Sequence, residues 1–103
     1  MQNVLNKTDT FLNWIDGLKD QRGRARVLSR LVAAGNGNFG DCGSVGEGVS
    51  EMRIHFGPGY RVYFAQEGRN IYLLIAGGDK STQERDIKLA KTMWKDLKKA
   101  GDA

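Results

Sequence analysis

The chain has one cysteine, Cys42, one proline, Pro58, and one histidine, His55. A lone cysteine excludes an internal disulfide and a cysteine-based zinc site. A lone histidine with no Cys or carboxylate neighbours at ligand spacing argues against a dedicated metal centre. No metal and no cofactor is therefore expected. No apolar run approaches the ~20 residues that span a bilayer. Met1 to Thr10 is polar and lacks the apolar core of a signal peptide. With so little cysteine, the expectation is a cytoplasmic protein without a membrane partner. Nucleotide loops are missing too. Gly78-Asp79-Lys80-Ser81 lacks the glycine that a P-loop places before its lysine. Gly35-Asn36-Gly37-Asn38-Phe39-Gly40 matches GxGxxG formally, but it follows a helical pattern and precedes a strand. A dinucleotide fingerprint needs the reverse context.

What is present suits one soluble domain over residues 1–103, with 40% hydrophobic and 27% charged residues. At this length roughly 65% of the unfolded chain's surface can be buried. The formal net charge is +4 and the sequence pI about 9.4. That balance favours a polyanionic partner such as nucleic acid or an acidic protein.

Met1 to Lys7 reads as a short first strand. Thr8 or Asp9 caps a first helix carrying Phe11, Trp14, Ile15 and Leu18. Asp20 caps a second helix running to about Ala34, with Gly35 as its stop. Leu28, Leu31 and Val32 form its apolar side, and Arg22, Arg24, Arg26 and Arg30 crowd the rest. Those arginines are either a solvated face or a ridge that contacts phosphates. Gly35 to Gly48 reads as a glycine-rich connector. After a turn at Glu67-Gly68-Arg69-Asn70, Ile71 to Ala76 is nearly all apolar, as for a central strand covered on both faces. Ser81-Thr82-Gln83-Glu84 has capping-box spacing and opens a last helix to about Lys99. Ile87, Ala90, Trp94 and Leu97 form its apolar stripe, widened by Leu89 and Met93.

The densest chemistry lies between, at Val49 to Phe64. Met52 to Phe56 alternates apolar and polar residues as a half-buried strand does. Gly57-Pro58-Gly59 turns the chain, and Tyr60 to Phe64 returns as a second strand. Met52, Ile54, Phe56, Val62 and Phe64 then share a core face. Glu51, Arg53, His55, Arg61 and Tyr63 share the other. Ser50 lies on the face opposite His55, so the two make no nucleophile–base pair.

This second face suits a phosphodiester. Arg53 and Arg61 can grip phosphate oxygens, and His55 can exchange a proton near neutral pH. Lys80 stands at the N-terminus of the last helix, another anion site. Tyr60 and Tyr63 can stack on unpaired bases, and Arg24 and Arg26 can contact the RNA backbone. Such a set can cleave RNA by activating the 2′-hydroxyl against the adjacent phosphate. The alternative is a surface ion pair between Glu51 and Arg53 beside an ordinary exposed histidine.

Gly46-Glu47-Gly48-Val49-Ser50-Glu51-Met52-Arg53-Ile54-His55-Phe56-Gly57-Pro58-Gly59-Tyr60-Arg61-Val62-Tyr63-Phe64 resembles the signature of the "addiction module killer protein", HigB-like branch of the RelE/ParE toxins. Leu73-Leu74-Ile75-Ala76-Gly77-Gly78-Asp79-Lys80-Ser81-Thr82-Gln83-Glu84-Arg85-Asp86-Ile87 resembles its second signature. The resemblance implies an α+β fold of order βααβββ(α), a small antiparallel-rich sheet packed against N-terminal helices, with a C-terminal helix. It implies the toxin of a type II toxin–antitoxin pair, acting as a metal-independent, ribosome-dependent mRNA endonuclease. The implied partners are the ribosome, mRNA and a cognate helix-turn-helix antitoxin, with operator DNA reached only through the antitoxin. It places basic catalytic residues at Arg53, His55, Arg61 and Lys80. The C-terminal catalytic tyrosine of RelE has no counterpart in the last helix. Tyr60 or Tyr63 is then a substitute, or Asp79 joins the acid–base work, and His55 and Asp79 both stand as candidate bases. ParE relatives share the fold but inhibit DNA gyrase without cutting RNA, which is the alternative activity.

Overall fold

The computed structural model describes residues 2–101. Strand β1 (Val4–Lys7) leads into helix α1 (Asp9–Gly17). The Thr8 hydroxyl accepts from the Phe11 N–H and caps that helix. Asp20 caps helix α2 (Gln21–Gly35) in the same way, accepting from the Gly23 N–H. Helix α2 runs through Gly35, and the left-handed residue that closes it is Gly37, at φ 97°. Four strands follow: β2 (Cys42–Gly46), β3 (Val49–Ile54), β4 (Tyr60–Gly68) and β5 (Ile71–Asp79). A 3-10 turn, Lys80–Thr82, joins them to helix α3 (Gln83–Gly101).

The sheet order is β1-β5-β4-β3-β2. Strands β2 to β5 form an antiparallel meander, and β1 adds parallel to β5. The fold is α+β, with one more strand than the sequence pattern reveals. Cys42–Gly46 is a strand rather than a connector, paired with β3 through a bulge between Ser44 and Gly46. Its sequence, Cys-Gly-Ser-Val-Gly, has little strand propensity, and its edge position asks for little side-chain packing.

Helices cover both faces. One face packs Met52, Ile54, Val62, Phe64 and Leu74 against Phe11 and Ile15 of α1 and Val27 and Leu31 of α2. The other packs Val49, Tyr63, Ala65, Leu73 and Ile75 against Ala90, Ile87, Met93 and Trp94 of α3. β5 is therefore covered on both sides, as its apolar run predicts. Before its last residue, Asp79, come two glycines, because both faces press closely there. A Cβ on Gly77 would lie 2.1 Å from the Trp14 ring, and one on Gly78 would lie 1.9 Å from Asp86 Oδ2.

Two local expectations change. Strand β3 ends at Ile54, so His55 and Phe56 lie in the turn rather than in the alternating pattern. The cap before the last helix is Asp79, whose carboxylate accepts from the Ser81 N–H and hydroxyl. Ser81 is thus inside the 3-10 turn and is not the N-cap.

Candidate functional site

The β3–β4 register sets Arg53 opposite Arg61 and Glu51 opposite Tyr63. Because α3 closes over this face, much of it is interior. Glu51, Arg61 and Tyr63 are buried, at 3%, 8% and 0% exposure. Three donors converge on the Glu51 carboxylate. Arg53 Nε donates to Oε2 at 3.2 Å, Gln83 Nε2 donates to Oε1, and Arg61 Nε stands 3.6 Å from Oε1. This buried cluster ties β3, β4 and the first turn of α3 together. The Tyr63 hydroxyl, opposite Glu51 in the register, is buried without a hydrogen-bond partner among the described residues.

The open side of the cluster is a cleft of about 360 Å³. His55, Arg61 and Lys80 line it with Phe56 and the Gly57-Pro58-Gly59 turn. No carboxylate is among these lining residues. Gly59, at φ 80°, sits between Arg61 and Lys80, and a Cβ there would touch both at 3.5 Å. Arg61 Nη1 donates to the carbonyls of Gly59 and Tyr60 at 3.2 Å each. Its Nε is buried without a hydrogen bond among the described residues. The cleft thus holds a guanidinium, an ammonium and an imidazole, the set that a phosphate diester recognises.

His55 is exposed, yet its ring is held. Nε2 lies 2.5 Å from Asp41 Oδ2, while Asp41 Oδ1 accepts from Arg53 Nη1 at 2.8 Å. Asp41 is fixed in turn by its backbone, whose carbonyl accepts from the Arg53 N–H at 2.9 Å and from Arg30 Nη2 at 3.1 Å. The hydrogen bond from His55, followed by that from Arg53, holds the Asp41 carboxyl below the usual carboxylate range. The same carboxylate raises Arg53 above the usual guanidinium range.

Of the residues the sequence singled out, His55, Arg61 and Lys80 come together. Arg53 lies next to them but faces two carboxylates, Asp41 and Glu51. The Glu51–Arg53 ion pair is therefore real, with the glutamate buried rather than on the surface. Asp79 closes the end of β5, one carboxylate oxygen engaged as the cap. Tyr60 and Tyr63 cannot stack on a base, which corrects that expectation. Tyr60 is 5% exposed and packs in the α1/α2 core, its hydroxyl donating to Asp20 at 2.8 Å. Burial, then that hydrogen bond, pushes its pKa up to about 12. Tyr63 lies wholly under α3, and burial pushes its phenol up further. Arg24 turns away to Asp16 at 3.7 Å. Arg26 stays at the margin of the cleft, its guanidinium 4.9 Å from the centre of the Phe56 ring. Arg30 is a structural clamp on the carbonyls of Phe39, Asp41 and Arg53 and no part of a phosphate ridge.

Asp41 and Gln83 are the site residues that sequence reasoning missed. Asp41 is 12 residues from Arg53 and 14 from His55. No periodicity links such positions before β2 pairs with β3.

No protein-family model matches the chain. A Haemophilus influenzae protein described as "Uncharacterized protein" is 43% identical over 93 residues, spanning 90% of this chain and 94% of its own length. This chain belongs to that protein's family. Among the described residues no helix is long and apolar enough to cross a membrane.

Proposed function

We propose that this chain is the toxin of a toxin–antitoxin pair and cleaves mRNA on the ribosome at the His55–Arg61–Lys80 cleft. The observation that carries the reading is Arg61. It is a guanidinium nine-tenths buried, with its Nε unbonded, in a cleft whose lining has no carboxylate. Burying a charge is costly unless something repays it. Glu51 offsets part of that cost, and an incoming phosphate would offset more. The resemblance of both signature stretches to addiction-module killer proteins supplies the substrate class. On this reading the antitoxin is a helix-turn-helix protein, which alone contacts operator DNA, and the toxin acts in the cytoplasm.

The chemistry follows from the side chains. His55 takes the proton of a 2′-hydroxyl, and the 2′-oxygen attacks the adjacent phosphorus. Arg61 and Lys80 stabilise the charge growing on the non-bridging oxygens. The bond from phosphorus to the 5′-oxygen breaks, and that oxygen takes a proton from the Lys80 ammonium, the remaining donor in the cleft. The products are a 2′,3′-cyclic phosphate and a 5′-hydroxyl. Asp79 is the weaker base candidate because it is committed to its cap.

Lys80→Ala is the cleanest test. Lys80 is exposed and its side chain has no hydrogen bond or ion pair among the described residues, so truncating it should leave the fold intact. Arg61→Ala would strip a buried partner from Glu51 and confuse folding with catalysis. Primer extension on a defined mRNA, with and without programmed ribosomes, should show cuts that need ribosomes. Lys80→Ala should reduce their rate by about 100-fold or more. Growth arrest with intact mRNA and trapped DNA breaks would overturn the reading in favour of gyrase inhibition.

A further inference from the structure

The interaction between Asp41 and His55 determines more than the placement of the ring. An ionised carboxylate only accepts hydrogen bonds. Both oxygens of Asp41 are engaged, Oδ1 by Arg53 and Oδ2 by His55 Nε2. In the neutral imidazole, Nε2 must then carry the proton, and Nδ1 is left as the bare acceptor. The carboxylate cannot swing away freely. Its backbone is held by Arg30 and by the Arg53 N–H, and Arg53 pins its other oxygen. A Cβ on Gly43 would lie 2.8 Å from Arg53 Nη2, so the guanidinium rests on β2 just beyond Asp41.

We propose that Asp41 is a positioning residue that fixes His55 in the Nε2–H tautomer, making Nδ1 the atom that accepts the proton. The catalytic part of this inference rests on the nuclease reading above. The tautomer does not.

The arrangement makes a sharp demand on one substitution. In Asp41→Asn the side chain has one oxygen and one NH2 group. Arg53 is an obligate donor, so it takes the oxygen. The NH2 group then faces Nε2, which must give up its hydrogen. The proton moves to Nδ1, and the base is lost without any change of shape. The same logic explains why a triad Asp→Asn change disables a serine protease through the wrong tautomer.

His55 is the only histidine, so one pair of ring nitrogens reports the state without assignment, provided the protein carries no histidine tag. The experiment is 15N–1H long-range correlation of the imidazole, raised in pH until the ring shifts stop moving. It is run on wild type, Asp41→Asn and Asp41→Ala, with thermal melts to check folding and ribosome-dependent cleavage measured in parallel. Wild type should show the Nε2–H tautomer, Asp41→Asn the Nδ1–H tautomer and Asp41→Ala a mixture. The turnover rate of Asp41→Asn should fall by about 100-fold or more with KM unchanged. A wild-type ring protonated on Nδ1, or an Asp41→Asn ring that keeps the wild-type tautomer, overturns the positioning role. An inverted tautomer with undiminished cleavage overturns Nδ1 as the base. A wild type with the fixed tautomer and no cleavage of any RNA supports the Asp41–His55 pair and rejects the nuclease.

Discussion

Glu51→Gln tests the buried cluster without changing its size. Glu51 accepts from Arg53 on one oxygen and from Gln83 on the other, which also stands 3.6 Å from Arg61 Nε as its counter-charge. A glutamine keeps one acceptor. Gln83 can rotate its own amide to present an oxygen, but neither arginine can become an acceptor. The arrangement that satisfies Arg53 therefore sets an NH2 group against Arg61 Nε and removes the counter-charge of a guanidinium only 9% exposed. Breaking a buried pair by removing one partner costs about 3–5 kcal/mol. Arg61 keeps two carbonyl acceptors and Arg53 keeps Asp41, which places this case at the lower end, near 3 kcal/mol. For a domain of this size that corresponds to a fall in Tm of about 12 °C or more. Scanning calorimetry on wild type, Glu51→Gln, Arg61→Met and the double variant closes the cycle. The coupling between the two positions should exceed about 1 kcal/mol. A Tm within about 4 °C of wild type for Glu51→Gln would show that Arg61 does not depend on Glu51, and the account of the cluster would fail.

Three further outcomes follow from the packing. Tyr63→Phe removes a buried hydroxyl that has no partner among the described residues, so chemical denaturation should show unchanged stability or a gain of up to about 1 kcal/mol; a clear loss would mean the hydroxyl is bonded. Gly78→Ala should destabilise by about 1–3 kcal/mol, because the new Cβ meets the buried carboxylate of Asp86 on one side of a fixed strand, and a wild-type melting curve would refute this. The raised pKa of Tyr60, about 12 against an ordinary 10.0, means that the fold favours the protonated phenol. Its stabilisation is full below the ordinary value and is lost as pH rises through about 12. An alkaline titration should therefore show phenolate absorbance from Tyr60 appearing together with loss of the near-ultraviolet circular dichroism. Tyr60→Phe should abolish that component.

Local chemistry made the helices legible. Thr8 and Asp20 cap them through bonds three residues long, and such contacts exist before any tertiary structure. Alternation along β3 and β4 correctly divided Met52, Ile54, Val62 and Phe64 from Glu51, Arg53, Arg61 and Tyr63. A period of two assigns residues to faces, but it does not say which face is wet. The apolar stripe of α3 carried the missing signal, since Ile87, Ala90, Met93 and Trp94 needed a surface to cover. That surface was the second face of the sheet, and covering it turned Tyr63 from a candidate base-stacker into core.

Thus the sequence by itself determined the starts of the first two helices, the apolar central strand, the turn at Gly57–Gly59 and the gathering of His55, Arg61 and Lys80 around it, because each depends on neighbours along one strand, one turn or one hairpin. Tertiary structure alone decided the strand at Cys42–Gly46, the burial of Glu51 and the place of Asp41. Those depend on pairing and layering between segments that are distant in the chain, and an acid at a bend after a glycine has no local feature that names its partners 12 and 14 residues away.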